Sequence, residues 1–274
     1  MKYKDELERQ YGQLKDRIAS EGKAAVAFSG GVDSVFLLYA AKEALENQVL
    51  ALTVCLQAVP KKELSEAKKF CRHQGIRHQV IDVDEFSIDG FADNPPDRCY
   101  RCKKTLFSKM LQAAWSEGIP VLMEGSNVDD MKDYRPGLRA LQELQIVSPL
   151  KECGFTKEKI REMSKRLGLP TWGKPAMACL ASRFVYGERI TPQKMRMVEE
   201  AEAYLDDLGF AQRRVRMHGN LARIELLLED FPRMMGEETY EQVQRRFSEL
   251  GFSYVTLDLK GFESGSMNKG LERV

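Results

Sequence analysis

Residues 24–34 read Ala24-Ala-Val-Ala-Phe-Ser-Gly-Gly-Val-Asp-Ser34, and this stretch decides the fold. Residues 25–28 are an apolar run short enough for a parallel-sheet strand, and residues 35–44 continue as an apolar-rich helix. Between them, Gly30 and Gly31 can take backbone angles closed to other residues, turning several N–H groups toward one point. The helix N-terminus adds its dipole and unpaired donors, so that point suits an anion. Ser29 and Ser34 offer hydroxyls to phosphate oxygens, and the Asp33 carboxylate suits a magnesium ion.

The spelling excludes the commoner phosphate loops. A Walker loop needs a Gly-Lys-Ser/Thr ending and a dinucleotide fold needs Gly-x-Gly-x-x-Gly; neither is present. Ser29-Gly-Gly-Val-Asp-Ser34 instead resembles the PP-loop of ATP pyrophosphatases, which implies cleavage of ATP between its α and β phosphates. An ordinary glycine-rich strand–helix turn would not require both serines, both glycines and the aspartate directly behind a strand.

Outward from this loop the periodicity predicts helix over 4–20, strand over 24–28, helix over 35–45, strand over 49–54 and helix over 61–74. Strand over 78–83, helix over 102–117 and strand over 120–123 follow. Strands alternating with helices of this length predict an α/β fold, a parallel sheet with helices on both faces. Ligands then sit outside the carboxyl ends of the strands, where the Ser-Gly-Gly loop lies. Residues 125–150 read as loop-rich, 157–167 as helix and 170–187 as irregular. Beyond them, helix over 191–208, strands over 213–217 and 222–228, helix over 238–250 and strand over 254–259 suggest a smaller α+β domain. The expected boundary lies near residue 187, giving domains 1–187 and 188–274.

A chain of 274 residues holds one large domain or two smaller ones with a sizeable core. Its 42 basic and 41 acidic residues leave a formal charge of +1, which gives no global electrostatic case for nucleic acid. No apolar run approaches the roughly 18–20 residues of a membrane span, and the charged amphipathic start does not read as a signal peptide. The expectation is a soluble, cytoplasmic protein.

Six cysteines are too few for a disulfide scaffold, so their spacing reads as metal or catalytic chemistry. Cys99-Tyr-Arg-Cys102 stands at a helix start among Arg98, Arg101, Lys103 and Lys104, a positive setting that favours thiolate chemistry. A redox disulfide pair, a structural pair and a metal site all remain open for it, although structural zinc would need two more soft ligands. Cys179, among small residues and near Arg183, reads as an accessible nucleophile or an inert thiol. Cys55 and Cys71 read as core, and Cys153 has no assignable role. Two thiolates on one stretch and one remote suit an iron–sulfur cluster with one iron lacking a protein ligand. Farther on, alternation places Arg214 and Arg216 on one strand face, where they could hold a substrate phosphate, and Arg223 and Glu225 share a face. Ordinary cross-strand ion pairs on a solvated face explain the same residues.

The ordered set of motifs resembles the LarE family, ATP-dependent sulfur transferases of nickel-pincer nucleotide biosynthesis, over nearly the whole chain. It runs from Ser29–Ser34 through Asn94-Pro-Pro-Asp-Arg-Cys-Tyr-Arg-Cys-Lys103, Glu124-Gly-Ser-Asn-Val-Asp-Asp130 and Asp133-Tyr-Arg-Pro-Gly-Leu-Arg139. It continues through Pro175–Arg183 and Arg214–Glu225 to Gly265-Ser-Met-Asn268. The resemblance implies that residues 1–187 form a PP-loop ATP pyrophosphatase domain, resembling the adenine nucleotide alpha hydrolases. It makes 188–274 a substrate-binding and oligomerisation domain.

The activity it implies is adenylylation of a carboxylate of pyridinium-3,5-biscarboxylic acid mononucleotide, followed by conversion to a thiocarboxylate. It further implies ATP and Mg2+ held by Ser29, Gly30, Gly31, Asp33, Ser34 and Gly125, with Lys103 near the reacting centre. Arg214 and Arg216 would hold the substrate phosphate, and Glu202 and Glu225 would lie near a divalent metal. Some family members sacrifice the cysteine matching Cys179 and lack the Cys-x-x-Cys pair. This chain has that pair, so it resembles the branch in which Cys99, Cys102 and Cys179 bind a [4Fe-4S] cluster carrying the transferred sulfide. The resemblance also implies a homo-oligomer, a hexamer being one form it allows.

Three other readings stand beside this one. A tRNA thiolase also combines a PP-loop with cluster cysteines, but RNA affinity leans on phosphate contacts that a balanced charge does not announce. An amide-forming ligase of the NAD-synthetase type needs no cysteine set. A non-enzymatic nucleotide-binding module leaves Cys99, Cys102 and Cys179 unexplained.

Overall fold

The computed structural model describes residues 2–59, 61–132, 137–175, 179–263 and 266–267. The chain divides into two compact units, one of Met1–Ile88 with Cys99–Met177 and the other of Asp89–Arg98 with Ala178–Val274.

In the first unit, strands β1 (Ala24–Ala27), β2 (Val49–Cys55), β3 (Arg77–Asp82) and β4 (Val121–Met123) form a sheet in the order β3-β2-β1-β4. All three pairings are parallel. Helices α1 (Lys2–Ala19), α2 (Val32–Leu45), α3 (Lys61–His73), α4 (Arg98–Ser116), α5 (Gly137–Glu143), α6 (Pro149–Glu152) and α7 (Lys157–Arg166) surround it.

Strand alternation sorts the core into two layers. Ala24 and Val26 of β1 join Leu14, Phe36, Leu37, Ala67, Ile160 and Met163 on one face. Ala25 joins Leu50, Leu52, Leu122, Phe107, Met110 and Leu141 on the other. Small residues in β1 fit a strand buried on both sides, as the expected α/β architecture requires. The strand order matters for function: the chain winds from β1 outward to β3, then returns to place β4 on the opposite side of β1. The loop after β1 therefore stands at the switch point of the sheet, where open α/β sheets bind ligands.

The second unit is built on β5 (Arg213–His218), β6 (Leu221–Leu226) and β7 (Tyr254–Leu257), with α8 (Pro192–Asp207), α9 (Phe231–Met234) and α10 (Glu237–Leu250). β5 and β6 form the expected antiparallel hairpin, and β7 adds in parallel to β6. Val215, Met217, Ala222, Ile224 and Leu226 lie buried on one face of the sheet. This unit begins earlier than residue 187 and takes in Asp89–Arg98. Hydrogen bonds explain why: Ile190 N donates to Ala92 O at 2.7 Å, Gly187 N to Asn94 O at 2.9 Å and Arg98 Nη1 to Ala181 O at 2.7 Å. No helix among the described residues is long and apolar enough to cross a membrane.

Candidate active site

The switch-point loop is held from below. Phe28 N donates to Leu52 O at 2.8 Å, and the Thr53 hydroxyl donates to Phe28 O at 2.6 Å. His78 Nε2 meets the same hydroxyl at 2.8 Å. The strand end is thus fixed before the chain turns at Gly30, whose φ of +77° favours a residue without Cβ. Gly31 then serves as the N-cap of α2 without a side-chain cap, leaving the first-turn N–H groups to a ligand.

The two serines close this turn on itself. Ser34 Oγ donates to Gly31 O at 3.1 Å and receives Ser29 N at 3.3 Å, and the two hydroxyls lie 3.1 Å apart. Ser34 is buried and Ser29 exposed, so one braces the loop and the other faces outward. Gly125, just past β4, packs on the same helix start; a Cβ there would lie 3.2 Å from Asp33 C and Ser34 N. The loop after β2 is fixed at the same sheet edge by Glu85, fully buried, which accepts from Ala58 N at 2.6 Å and Gln57 N at 3.2 Å.

Asp33 stands in the first turn of α2, and its carboxylate is paired with the Lys157 ammonium at the start of α7. Burial raises the Asp33 pKa, the Lys157 charge pulls it back, and nearby Asp130 pushes it up again. Asp33 Oδ1 is buried without a hydrogen-bond partner among the described residues. A buried carboxylate oxygen in that state fits a cation, so the residues present suit Mg2+ at Asp33. The acidic loop behind it is stiff: Asp130 accepts from Asn127 N at 3.0 Å, and Asp129 accepts from Lys157 N at 2.9 Å. Lys157 escaped the sequence reading because its partner lies 124 residues away.

Cys99 and Cys102 stand one turn apart at the start of α4, Cys99 exposed and Cys102 half-buried. Lys103 follows them, and its stem lies against Gly137 of α5: a Cβ on Gly137 would come within 3.1 Å of Lys103 Cε and 3.3 Å of Cys99 Sγ. Helix α5, in a stretch expected to be loop, is clamped to α4 by Glu143, which accepts from Tyr100 Oη at 2.7 Å and Lys104 Nζ at 2.8 Å. Those bonds hold the Glu143 carboxyl down at about 2. Cys179 lies in the second unit, exposed, as the N-cap of the short turn Leu180–Arg183. Cys71 is core as expected, its thiol pushed up to about 12 by burial, while Cys55 is half-buried. Of the motif stretches, residues 133–136, 176–178, 265 and 268 lie outside the described residues.

In the second unit, Arg214 and Arg216 share one face of β5, as alternation predicts, and both are buried. Arg216 forks onto Glu225 Oε2 at 3.0 and 2.9 Å and donates to Ser182 O at 3.1 Å. Glu225 Oε1 also accepts from Ser266 Oγ at 2.7 Å and Arg223 Nη2 at 3.2 Å. Arg214 packs on the Phe262 ring at 5.4 Å, and burial with neighbouring Arg183 lowers its pKa to about 10. A guanidinium that has lost water and stands near other arginines suits an anionic partner.

Glu202 accepts both arms of Arg183, at 2.7 and 3.0 Å, and Val215 N at 2.9 Å. With their oxygens turned to arginines, Glu202 and Glu225 do not present a donor set that fits a divalent cation. Among the described residues no group of three or more His, Cys, Asp or Glu is gathered to hold a metal ion. The thiols of Cys99 and Cys102 stand one helical turn apart in the first unit, and the exposed thiol of Cys179 belongs to the second; thiols are the donor chemistry an iron–sulfur cluster takes.

Three relatives and one family profile bear on identity. The profile described as Queuosine biosynthesis protein QueC matches residues 23–92, the span that opens with β1 and the switch-point loop. An uncharacterized protein of Synechocystis sp. is 38% identical over 267 residues, 97% of this chain and 100% of its own. One from Methanocaldococcus jannaschii is 30% identical over 251 residues, 92% of this chain and 94% of its own. The pyridinium-3,5-bisthiocarboxylic acid mononucleotide synthase of Lactiplantibacillus plantarum is 37% identical over 255 residues, 92% of this chain and 91% of its own. A relationship of that extent, carried on a PP-loop at the switch point of a parallel sheet, places the chain in the LarE family.

Proposed function

We propose that this chain is an ATP-dependent sulfur transferase that adenylylates a carboxylate of pyridinium-3,5-biscarboxylic acid mononucleotide and converts it to a thiocarboxylate. The observation that carries the reading is the PP-loop: glycine turn, bare helix N-terminus and Asp33 meet at one switch point.

A carboxylate is a poor acyl electrophile. Its oxygen attacks the α-phosphorus of ATP, the α–β bridging bond breaks, and pyrophosphate leaves with the electron pair. The N–H groups of Gly30, Gly31 and the first turn of α2, with the Ser29 hydroxyl, would stabilise that leaving charge. Asp33 would hold Mg2+, which when bound neutralises part of the same charge. Lys157, already beside Asp33, supplies a second cation at the phosphates, and Lys103 is assigned to the α-phosphoryl group. Arg214 and Arg216 would hold the phosphate of the mononucleotide in the second unit. A sulfur nucleophile then attacks the acyl carbon and AMP departs, leaving the thiocarboxylate.

Cys99, Cys102 and Cys179 would bind a [4Fe-4S] cluster, which when present supplies a sulfide and spares the protein's own sulfur. The donor chemistry of the three thiols and their accessible positions support this assignment. The expected setting is the cytoplasm, with the chain acting as a homo-oligomer, a hexamer being one form.

Anaerobic reconstitution should load about four irons per chain, the content of one such cluster. Cys99→Ala, Cys102→Ala and Cys179→Ala should each lose that stoichiometry. With ATP and the biscarboxylate mononucleotide, the loaded chain should form thiocarboxylate while the mass of Cys179 stays unchanged. Conversion of Cys179 to dehydroalanine would overturn the cluster assignment, and no thiocarboxylate under any loading would overturn the sulfur transferase reading.

A further inference from the structure

Arg183 has no part in the steps above, yet it is a fully buried guanidinium in the same short turn as Cys179. Its Nε and Nη2 fork onto Glu202 at 2.7 and 3.0 Å, while Nη1 donates to Ser182 Oγ at 2.9 Å and reaches Cys179 O at 3.4 Å. Glu202 passes the constraint on: Oε1 accepts from Val215 N at 2.9 Å, and its own carbonyl accepts from Arg213 Nε at 2.7 Å. Val215 is the residue of β5 between Arg214 and Arg216. A bridge between Phe184 and Met217 ties the end of the turn to the same strand.

Buried ion pairs of this kind are seldom better for stability than apolar side chains of the same volume, so folding alone does not account for the pair. What a guanidinium–carboxylate fork supplies is a fixed direction at both ends. Here one end is the backbone of Cys179 and the other is the strand carrying the two arginines.

We propose that Arg183 and Glu202 are a positioning pair that fixes the Cys179 turn relative to Arg214 and Arg216. The pair sets where the thiol stands when the acyl group of the bound mononucleotide arrives. This assigns Glu202 to side-chain orientation instead of metal binding, and it rests on the reading of Cys179 as a sulfur-side residue.

The test replaces both partners at once, Arg183→Met with Glu202→Met, which removes no net charge and leaves neither group buried alone. A second variant, Arg183→Lys, keeps the cation beside Glu202 but loses the fork, and serves where the double variant does not fold. In the metal-free full chain, iodoacetamide labelling read by peptide mass compares Cys179 with Cys99, which lies in the other unit. Because the local charge is unchanged, a shift in the ratio reports order in the turn. The expected result is a Cys179-to-Cys99 labelling ratio changed about three- to tenfold, because the exposed thiol loses the fixed setting of its turn.

In the loaded enzyme, kcat for thiocarboxylate should fall by about 100-fold, the loss associated with misplacing a reacting group by an ångström. The KM for the mononucleotide and the rate of pyrophosphate release should hold, because β5 stays paired with β6. An unchanged labelling ratio with unchanged kcat overturns the proposal. A wild-type chain that makes no thiocarboxylate breaks the functional reading, and the labelling ratio then still decides the positioning claim.

Discussion

In the function we propose, the two units would receive anions by opposite means. In the first, the groups that would face phosphate are main-chain N–H groups, presented by a glycine at φ +77° and a helix start without a side-chain cap. In the second, the groups proposed for the anion are guanidinium side chains on a strand, both buried, Arg216 held by Glu225 and Arg214 packed on the Phe262 ring. A backbone site is built by the fold itself and tolerates ATP and pyrophosphate alike. A side-chain site gains selectivity by geometry, but it must first satisfy the charges it buries. The difference suits a reaction in which ATP is generic and the mononucleotide is not.

Removing the Asp33 carboxylate from the backbone site is the sharpest way to break this comparison. Asp33→Ala should lower pyrophosphate release by about 100-fold or more, the scale on which electrostatic stabilisation of a leaving group acts. Circular dichroism should show the fold retained; near-normal release would remove Asp33 from the phosphate site. A smaller effect is expected from Arg214→Ala, which should weaken mononucleotide binding by roughly 10- to 100-fold, the worth of a charged hydrogen-bonding contact. ATP binding should be unaltered, and an equal loss for both ligands would contradict separate sites.

The smallest effect concerns pH. His218, at the end of β5, has its pKa lowered by burial first and then by the Arg223 charge, from a usual value of 6.5. The unfolded chain therefore takes up the proton before the folded one as pH falls through that value, so stability is present above it and drains away below. Melting temperatures measured from neutral pH to about 5 should decline less steeply for His218→Gln than for wild type. Parallel curves would mean that the imidazole is not held neutral.

Legibility in the sequence follows the same division. The sheet, its helices and the switch-point loop rest on local signals: apolar alternation, two adjacent glycines and a strand running into a helix. Ser29, Asp33 and Ser34 lie at the strand-to-helix junction where that pattern puts them, whereas Gly125, named only by the resemblance, packs on the same helix start from just past β4. Lys157 did not show, because an ion pair across 124 residues leaves no local trace. Nor did α5, seven residues long and pinned by Glu143 to Tyr100 and Lys104 of another helix. The early start of the second unit was hidden because Ala92, Asn94 and Arg98 bond to residues about 90 positions later. Arg183 reads in the sequence only as a charge near Cys179, and Glu202 only as a carboxylate that the resemblance puts near a metal; their burial and mutual fork have no local signal.

The central claim is that ATP is spent by cleavage between its α and β phosphates to activate a carboxylate. Incubating the loaded enzyme with the biscarboxylate mononucleotide and ATP, then quantifying nucleotide and phosphate products beside the thiocarboxylate, tests it directly. The account predicts one AMP and one pyrophosphate for each thiocarboxylate formed in a single turnover. ADP and inorganic phosphate in their place, or thiocarboxylate formed without ATP, would contradict it.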